Sequence, residues 1–136
     1  MLDSDDERAQ LIREFLLECG ENLDALDRDF VSLGDDPTNI EALSGIFRTF
    51  HTIQGTAGFF GFQKLASVAR AAESLSIDLR SGRLAWSADL HVALRLGAVM
   101  LRRILSSIAA TRVEGDRDCG VLIAQIERLE RPDQDR

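Results

Sequence analysis

Leu43, Ile46, Phe50, Ile53, Ala57 and Phe60 follow one another at alternating steps of three and four residues. That spacing lines apolar side chains along one stripe of an α-helix, whereas a strand would need a period of two. The same rhythm recurs along the chain. Ile12, Leu16, Cys19, Leu23, Leu26, Phe30 and Leu33 mark a first seam of about eight turns. Phe62, Leu65, Ala69, Ala72, Leu75 and Leu79 mark a third, and Leu90, Leu94, Gly97, Leu101, Ile104 or Leu105, and Ile108 a fourth. Val121, Leu122, Ile126 and Leu129 suffice for a short fifth helix.

Punctuation falls between these seams. Ser4-Asp5-Asp6-Glu7 and Thr38-Asn39-Ile40-Glu41 read as capping boxes, the second starting a helix expected from about residue 39 to about 60. Ser87 with Asp89 opens the fourth helix. Gly34 with Asp35-Asp36-Pro37, Gly61, and Ser81-Gly82 supply the stops. Long amphipathic helices joined by short turns predict an all-α protein: an up-and-down four-helix bundle over 1–112, then a connection and short additional C-terminal helix over 113–131, packing on the bundle or extending from it, and a linker-like tail at 132–136. A composition 45% hydrophobic but only 6% aromatic, with two prolines, agrees with helices, and 136 residues make one ordinary domain.

Charge and cysteine usage narrow the function. A net charge of −7 without a basic patch excludes nucleic acid, whose phosphates require a cationic surface. The acidic outer face of the first helix, Glu14, Glu18, Glu21, Asp24 and Asp27, reads as a solvated surface. Cys19 and Cys119 lie in separate helical patterns with no signal peptide or membrane-length apolar run, so a cytoplasmic protein with free thiols and no direct membrane insertion is expected. Two cysteines and two histidines without close spacing make a poor zinc site, and no metal is expected. No glycine-rich phosphate loop follows a strand, so the chain has no recognisable ATP site.

His51 is the residue of chemical interest. It sits roughly 100° around the helix from Phe50, at the edge between core and water. Ser44, Phe47, Arg48, Gln54, Gly55 and Gly58 share its face. A glycine within a helix costs about 1 kcal/mol relative to alanine, so Gly55 and Gly58 mark either close approach to the imidazole or close packing of a neighbouring helix. If the second and third helices form a hairpin about Gly61, His51 ten residues before it and Glu73 twelve after it come within about 3 Å in height. Arg70 and Gln54 fall near the same level, which suggests a polar cluster of His51, Gln54, Arg70 and Glu73, or an ordinary interhelical network. A carboxylate that accepts a hydrogen bond from one imidazole nitrogen makes the other more basic, and Glu73 is the candidate. His91 lies beside its seam, matches no motif, and reads as a surface residue; Trp86 is expected against the bundle end.

The run His51-Thr52-Ile53-Gln54-Gly55-Thr56-Ala57-Gly58-Phe59-Phe60-Gly61-Phe62, continued by Lys64-Leu65-Ala66-Ser67-Val68-Ala69-Arg70-Ala71-Ala72-Glu73, resembles the histidine-phosphotransfer (HPt) family, and within it the N-terminal domain of CheA-type chemotaxis histidine kinases. The family pattern is histidine, small or hydroxyl residue, apolar residue, lysine, glycine, Ser/Thr and a small residue, continuing in the CheA branch as Gly-Phe-Phe-Gly-Phe. Gln54 departs from it in place of lysine, and Arg70 stands where CheA proteins often carry a second histidine. The resemblance implies that His51 Nε2 takes a phosphoryl group from a kinase catalytic domain and gives it to the aspartate of a CheY- or CheB-like response-regulator receiver domain. It also implies that Nδ1–H is held by Glu73; the residues alone do not distinguish the two nitrogens. ATP and Mg²⁺ then belong to the partner domains and no cofactor to this one. Arg48 and Arg70 are candidates to replace the missing lysine charge, and Phe47, Gly55 and Gly58 to form docking ground. A full autokinase does not fit in this length, although the chain suits the front piece of one. The contrasting expectation is a phosphorylation-independent helical adaptor in which His51 is inert.

Overall fold

The computed structural model describes residues 4–131 and contains five helices, with no strand among the described residues: α1 (Ser4–Asp35), α2 (Ile40–Phe60), α3 (Gln63–Arg80), α4 (Ala88–Thr111) and α5 (Gly120–Glu130). The protein is all-α. The tail expected at 132–136, and the Ser4 side chain of the first capping box, lie outside what is described.

Local chemistry explains the boundaries, with one correction. The cap of α2 is Asn39 rather than Thr38: Asn39 Oδ1 accepts from Ala42 N–H at 3.1 Å, while the Thr38 hydroxyl donates to Asp36 Oδ1 at 2.7 Å. Asn39 wins because its oxygen falls opposite the third helical N–H, while Asp36 has already engaged Thr38 in a turn. Gly61 closes α2 in the left-handed region at φ 78°. The N–H of Phe62 returns to Ala57 C=O and that of Gly61 to Gly58 C=O, a Schellman closure that turns the chain straight into α3. Ser87 Oγ caps α4 by accepting from Leu90 N–H.

α1 touches α2 and α4, α3 touches the same two, and α5 lies against α3 and α4. The predicted seams of α2, α3 and α4 are buried throughout, including both Ile104 and Leu105. Two seam residues are corrected. Phe15 is buried on α1 and Leu16 only partly so, because the stripe steps Ile12, Phe15, Cys19 as the 3.6-residue period drifts. Val121 on α5 is exposed, since an eleven-residue helix resting on two others hides little more than Leu122 and Ile126.

Small residues set two close approaches. Gly97 lets α4 come to 3.6 Å from the Ala72 methyl as measured from where a Cβ would stand, and a methyl at Gly45 would collide with the Asp29 carboxylate of α1. Where α1 meets the α2–α3 turn, Phe62 stacks on Phe15 and Phe60, which meet each other at a tilt, and Arg8 donates from α1 to Phe60 C=O at 3.1 Å. The acidic face of α1 is partly engaged: Arg102 of α4 donates to Asp24 and Asp27. No helix of the described residues is long and apolar enough to cross a membrane. Both cysteines are free and buried.

Candidate functional site

The Gly61 closure makes α2 and α3 antiparallel neighbours, and their register brings His51 and Glu73 together. His51 Nδ1 lies 2.8 Å from Glu73 Oε1. A carboxylate accepts, so Nδ1 carries the proton and donates; Nε2 keeps the lone pair. The geometry thus distinguishes the two nitrogens. The His51 side chain is 63% exposed and that of Glu73 15%. The carboxylate is largely buried, while the imidazole projects into solvent with Nε2 available.

Phe47, one turn before His51, is half-buried and stacks on the imidazole, with ring centres 5.6 Å apart and planes 22° apart. The guanidinium carbon of Arg80, the last residue of α3, lies 4.4 Å from the centre of the Phe47 ring. Arg80 did not figure among the residues expected here. It stands nineteen residues after Gly61 and Phe47 fourteen before, so backbone heights alone separate them. A helical side chain leans toward the N-terminus of its own helix, however, and that lean carries Arg80 back along α3 to Phe47.

The expected four-residue cluster forms only in its central pair. Among the described residues neither Gln54 nor Arg70 hydrogen-bonds to His51 or Glu73. Arg70 is exposed and lines a cleft of about 400 Å³ between α3 and α5 with Ser74, Glu127 and Glu130. Height along a helix leaves rotation about its axis open, and rotation turns Arg70 to the α5 side. Gln54 is half-buried on α2. Arg48 is exposed, and its charge acts on Asp29, whose carboxyl is pushed up by burial and drawn back by Arg48 and Arg28.

Gly55 and Gly58 are exposed, and a Cβ at either would meet nothing within 4 Å. Among the described residues no helix packs there, which removes close packing by those helices as their reason. The surface beside the imidazole is open and flat, and Phe59 stands 78% exposed at its end. Among the described residues no group of three or more His, Cys, Asp or Glu could hold a metal ion.

His91 departs from the surface residue expected. It stacks on Phe30 and meets Trp86 at a tilt, with Nε2 accepting from Arg95 Nε at 2.7 Å, and burial first and Arg95 second hold it below its usual range. Trp86 does pack at this end of the helices, as partner to His91.

A solvent-facing imidazole whose other nitrogen is held by a carboxylate of a neighbouring antiparallel helix is the arrangement of a group carrier, and the family model of the Hpt domain matches residues 10–131: the chain belongs to that family. Its relatives include CheA proteins. It is 32% identical over 121 residues to the chemotaxis protein CheA of Listeria monocytogenes, covering 89% of this chain and 19% of that one. The CheA phosphotransferase domain from Thermotoga maritima superposes with a TM-score of 0.71 at 26% identity, covering 74% of this chain and 95% of that domain. The phosphorylated P1 domain of CheA3 in complex with CheY6 from R. sphaeroides shares the fold, with a TM-score of 0.79 at 21% identity over 90% of this chain and 97% of that one. The chain spans about a fifth of the length of the CheA relative it matches.

Proposed function

We propose that this chain is the phosphotransfer domain of a CheA-type chemotaxis kinase and that His51 is its phosphoryl carrier. The observation that carries the proposal is the 2.8 Å hydrogen bond from His51 Nδ1–H to Glu73, which leaves Nε2 exposed and nucleophilic. The Nε2 lone pair forms the N–P bond as the P–O bond to ADP breaks. Nδ1 keeps its proton and its hydrogen bond to Glu73, whose negative charge balances the ring. An aspartate oxygen of a receiver domain then bonds to phosphorus, and the N–P electron pair returns to Nε2. ATP and the divalent cation, which screens the phosphate charges, are supplied by the kinase catalytic domain and the receiver; this domain supplies position and basicity.

Partners and place follow from the same reading. The solved relative held by CheY6 supports a CheY-like receiver as acceptor, with a CheB-like one as a second, and a CheA-type catalytic domain as donor. Phe47, Gly55 and Gly58 form the ground on which these partners dock, with Gln54 and Arg48 on the same helix beside it and Arg70 turned away toward α5. The domain works in the cytoplasm, in the company of such regulators. We further infer that α1 to α4 form an up-and-down four-helix bundle over 1–112, that α5 is an accessory helix, and that 132–136 leads into the rest of the protein; the mutual packing of the first four helices supports this.

The test is incubation of the chain with ATP, magnesium and CheA-type catalytic domains, followed by mass spectrometry and acid treatment. One acid-labile phosphate, absent from His51→Gln, is expected, and it should pass to a CheY-like receiver. A folded domain that no such kinase phosphorylates would point instead to the phosphorylation-independent adaptor.

A further inference from the structure

We propose that Arg80 is the cation that holds the phosphoryl group once it sits on His51, with the Phe47 ring as its resting place; this rests on the carrier reading above. A dianionic phosphoryl group on an exposed imidazole calls for a nearby positive charge, and position 54, one turn from the nucleophile, carries a neutral glutamine. Three guanidinium groups are candidates to supply the charge. Arg70 faces the cleft against α5, where Glu127 and Glu130 also stand. Arg48 is engaged electrostatically with Asp29 on α1. Arg80 alone is joined to the imidazole by a continuous contact: guanidinium on Phe47 at 4.4 Å, Phe47 on His51 at 5.6 Å between ring centres.

The guanidinium therefore lies within about 10 Å of the imidazole centre, no farther than one Debye length at 0.1 M salt. Its side chain is exposed and leans toward His51, and among the described residues no carboxylate is paired with it. An exposed cation–π contact is a weak attachment, whereas a guanidinium offers phosphate a charge-assisted, two-pronged hydrogen bond. Phosphorylation thus gives Arg80 a better partner than the ring it rests on, at the cost only of side-chain rotation. A purely structural Arg80, complementing the C-terminal end of the α3 dipole and covering Phe47, would not respond to the phosphoryl group.

The experiment uses the full chain and phosphoramidate as phosphoryl donor, which needs no kinase. Nε2 bonds to phosphorus as the donor's P–N bond breaks and ammonia departs, and the product is followed by ³¹P NMR, with His51→Gln identifying the signal. The readout is the pKa of the phosphoryl group, since a neighbouring cation favours the dianion. In Arg80→Gln it is expected to rise by about 0.5, the scale of one charge across roughly 6 Å of water. Arg80→Lys restores most of that shift, and high salt shrinks it. Equal values in wild type and Arg80→Gln, with both folded by circular dichroism, overturn the role of Arg80 and leave the carrier reading standing. A folded chain that yields no phosphohistidine at His51 removes the carrier reading, and this inference with it.

Discussion

In the carrier role proposed for His51, the ring attacks phosphorus through one nitrogen while the other keeps its proton, and the hydrogen bond to Glu73 holds that proton on Nδ1. Glu73→Ala frees the imidazole to rotate and to change tautomer. Phosphorylation of His51 by a CheA-type catalytic domain is expected to slow roughly 10- to 100-fold, with thermal unfolding little changed; an unaltered rate would remove Glu73 from the chemistry. His91 shows the opposite use of an imidazole. Its Nε2 accepts from Arg95, and burial between Phe30 and Trp86 holds its pKa below 6.5. The unfolded chain binds a proton there that the folded chain refuses, so the contribution is complete above pH 6.5 and is lost as pH falls below it. Urea midpoints measured at about pH 7 and pH 5 are expected to differ less in His91→Gln than in the wild type. An unchanged difference would show that His91 does not titrate with folding.

At the scale of helices, termini and glycines carry the consequences. Phe62 stands at the N-cap of α3 and offers no side-chain cap. The missing acceptor comes from a distance: Glu114, in the connection between α4 and α5, places Oε1 2.8 Å from Leu65 N, while neighbouring Lys64 donates to Gly115 C=O. Glu114→Ala should therefore cost about 1 kcal/mol in denaturant unfolding, as loss of a cap does, although position 114 lies outside every helix. Glu114→Gln should recover much of it. On α2, Gly55→Leu gains helix propensity, and its Cβ meets nothing within 4 Å among the described residues, so the fold is expected to hold or strengthen slightly. Transfer to a receiver domain is expected to fail, because the added side chain stands where a partner must approach Nε2. Normal transfer rates in that variant would show that the glycines do not serve docking.

For the molecule as a whole, α5 raises the question of what counts as the domain. It buries Leu122 and Ile126 against α3 and α4, and it is tied at its far end by Ser74 Oγ donating to Glu130 Oε2 and by Arg83 donating to Glu130 C=O. A chain ending at residue 112 loses those side chains and the Glu114 cap together. Its unfolding free energy is expected to drop by roughly 3–6 kcal/mol, the scale of two buried aliphatic side chains, and equal stability in chemical denaturation would make α5 a mere appendage. Phosphorylation of the shortened chain should persist wherever it stays folded, since His51, Glu73, Phe47 and Arg80 all lie on α2 and α3.

The chain's own pattern determined the helices, most of their seams, the Gly61 turn and the pairing of His51 with Glu73. Each follows from local periodicity or from counting residues outward from one turn. Rotation about the helix axes was decided only by packing. It turned Arg70 toward α5, brought Arg80 onto Phe47, and buried Phe15 in place of Leu16. His91 went unread for a related reason: Phe30 and Trp86 come from elsewhere in the sequence, and only the assembled helices bring them to its ring. The same holds for the Glu114 cap. Sequence periodicity fixes the height and face of a side chain on its own helix, whereas the direction in which that face looks depends on the other helices sharing the core.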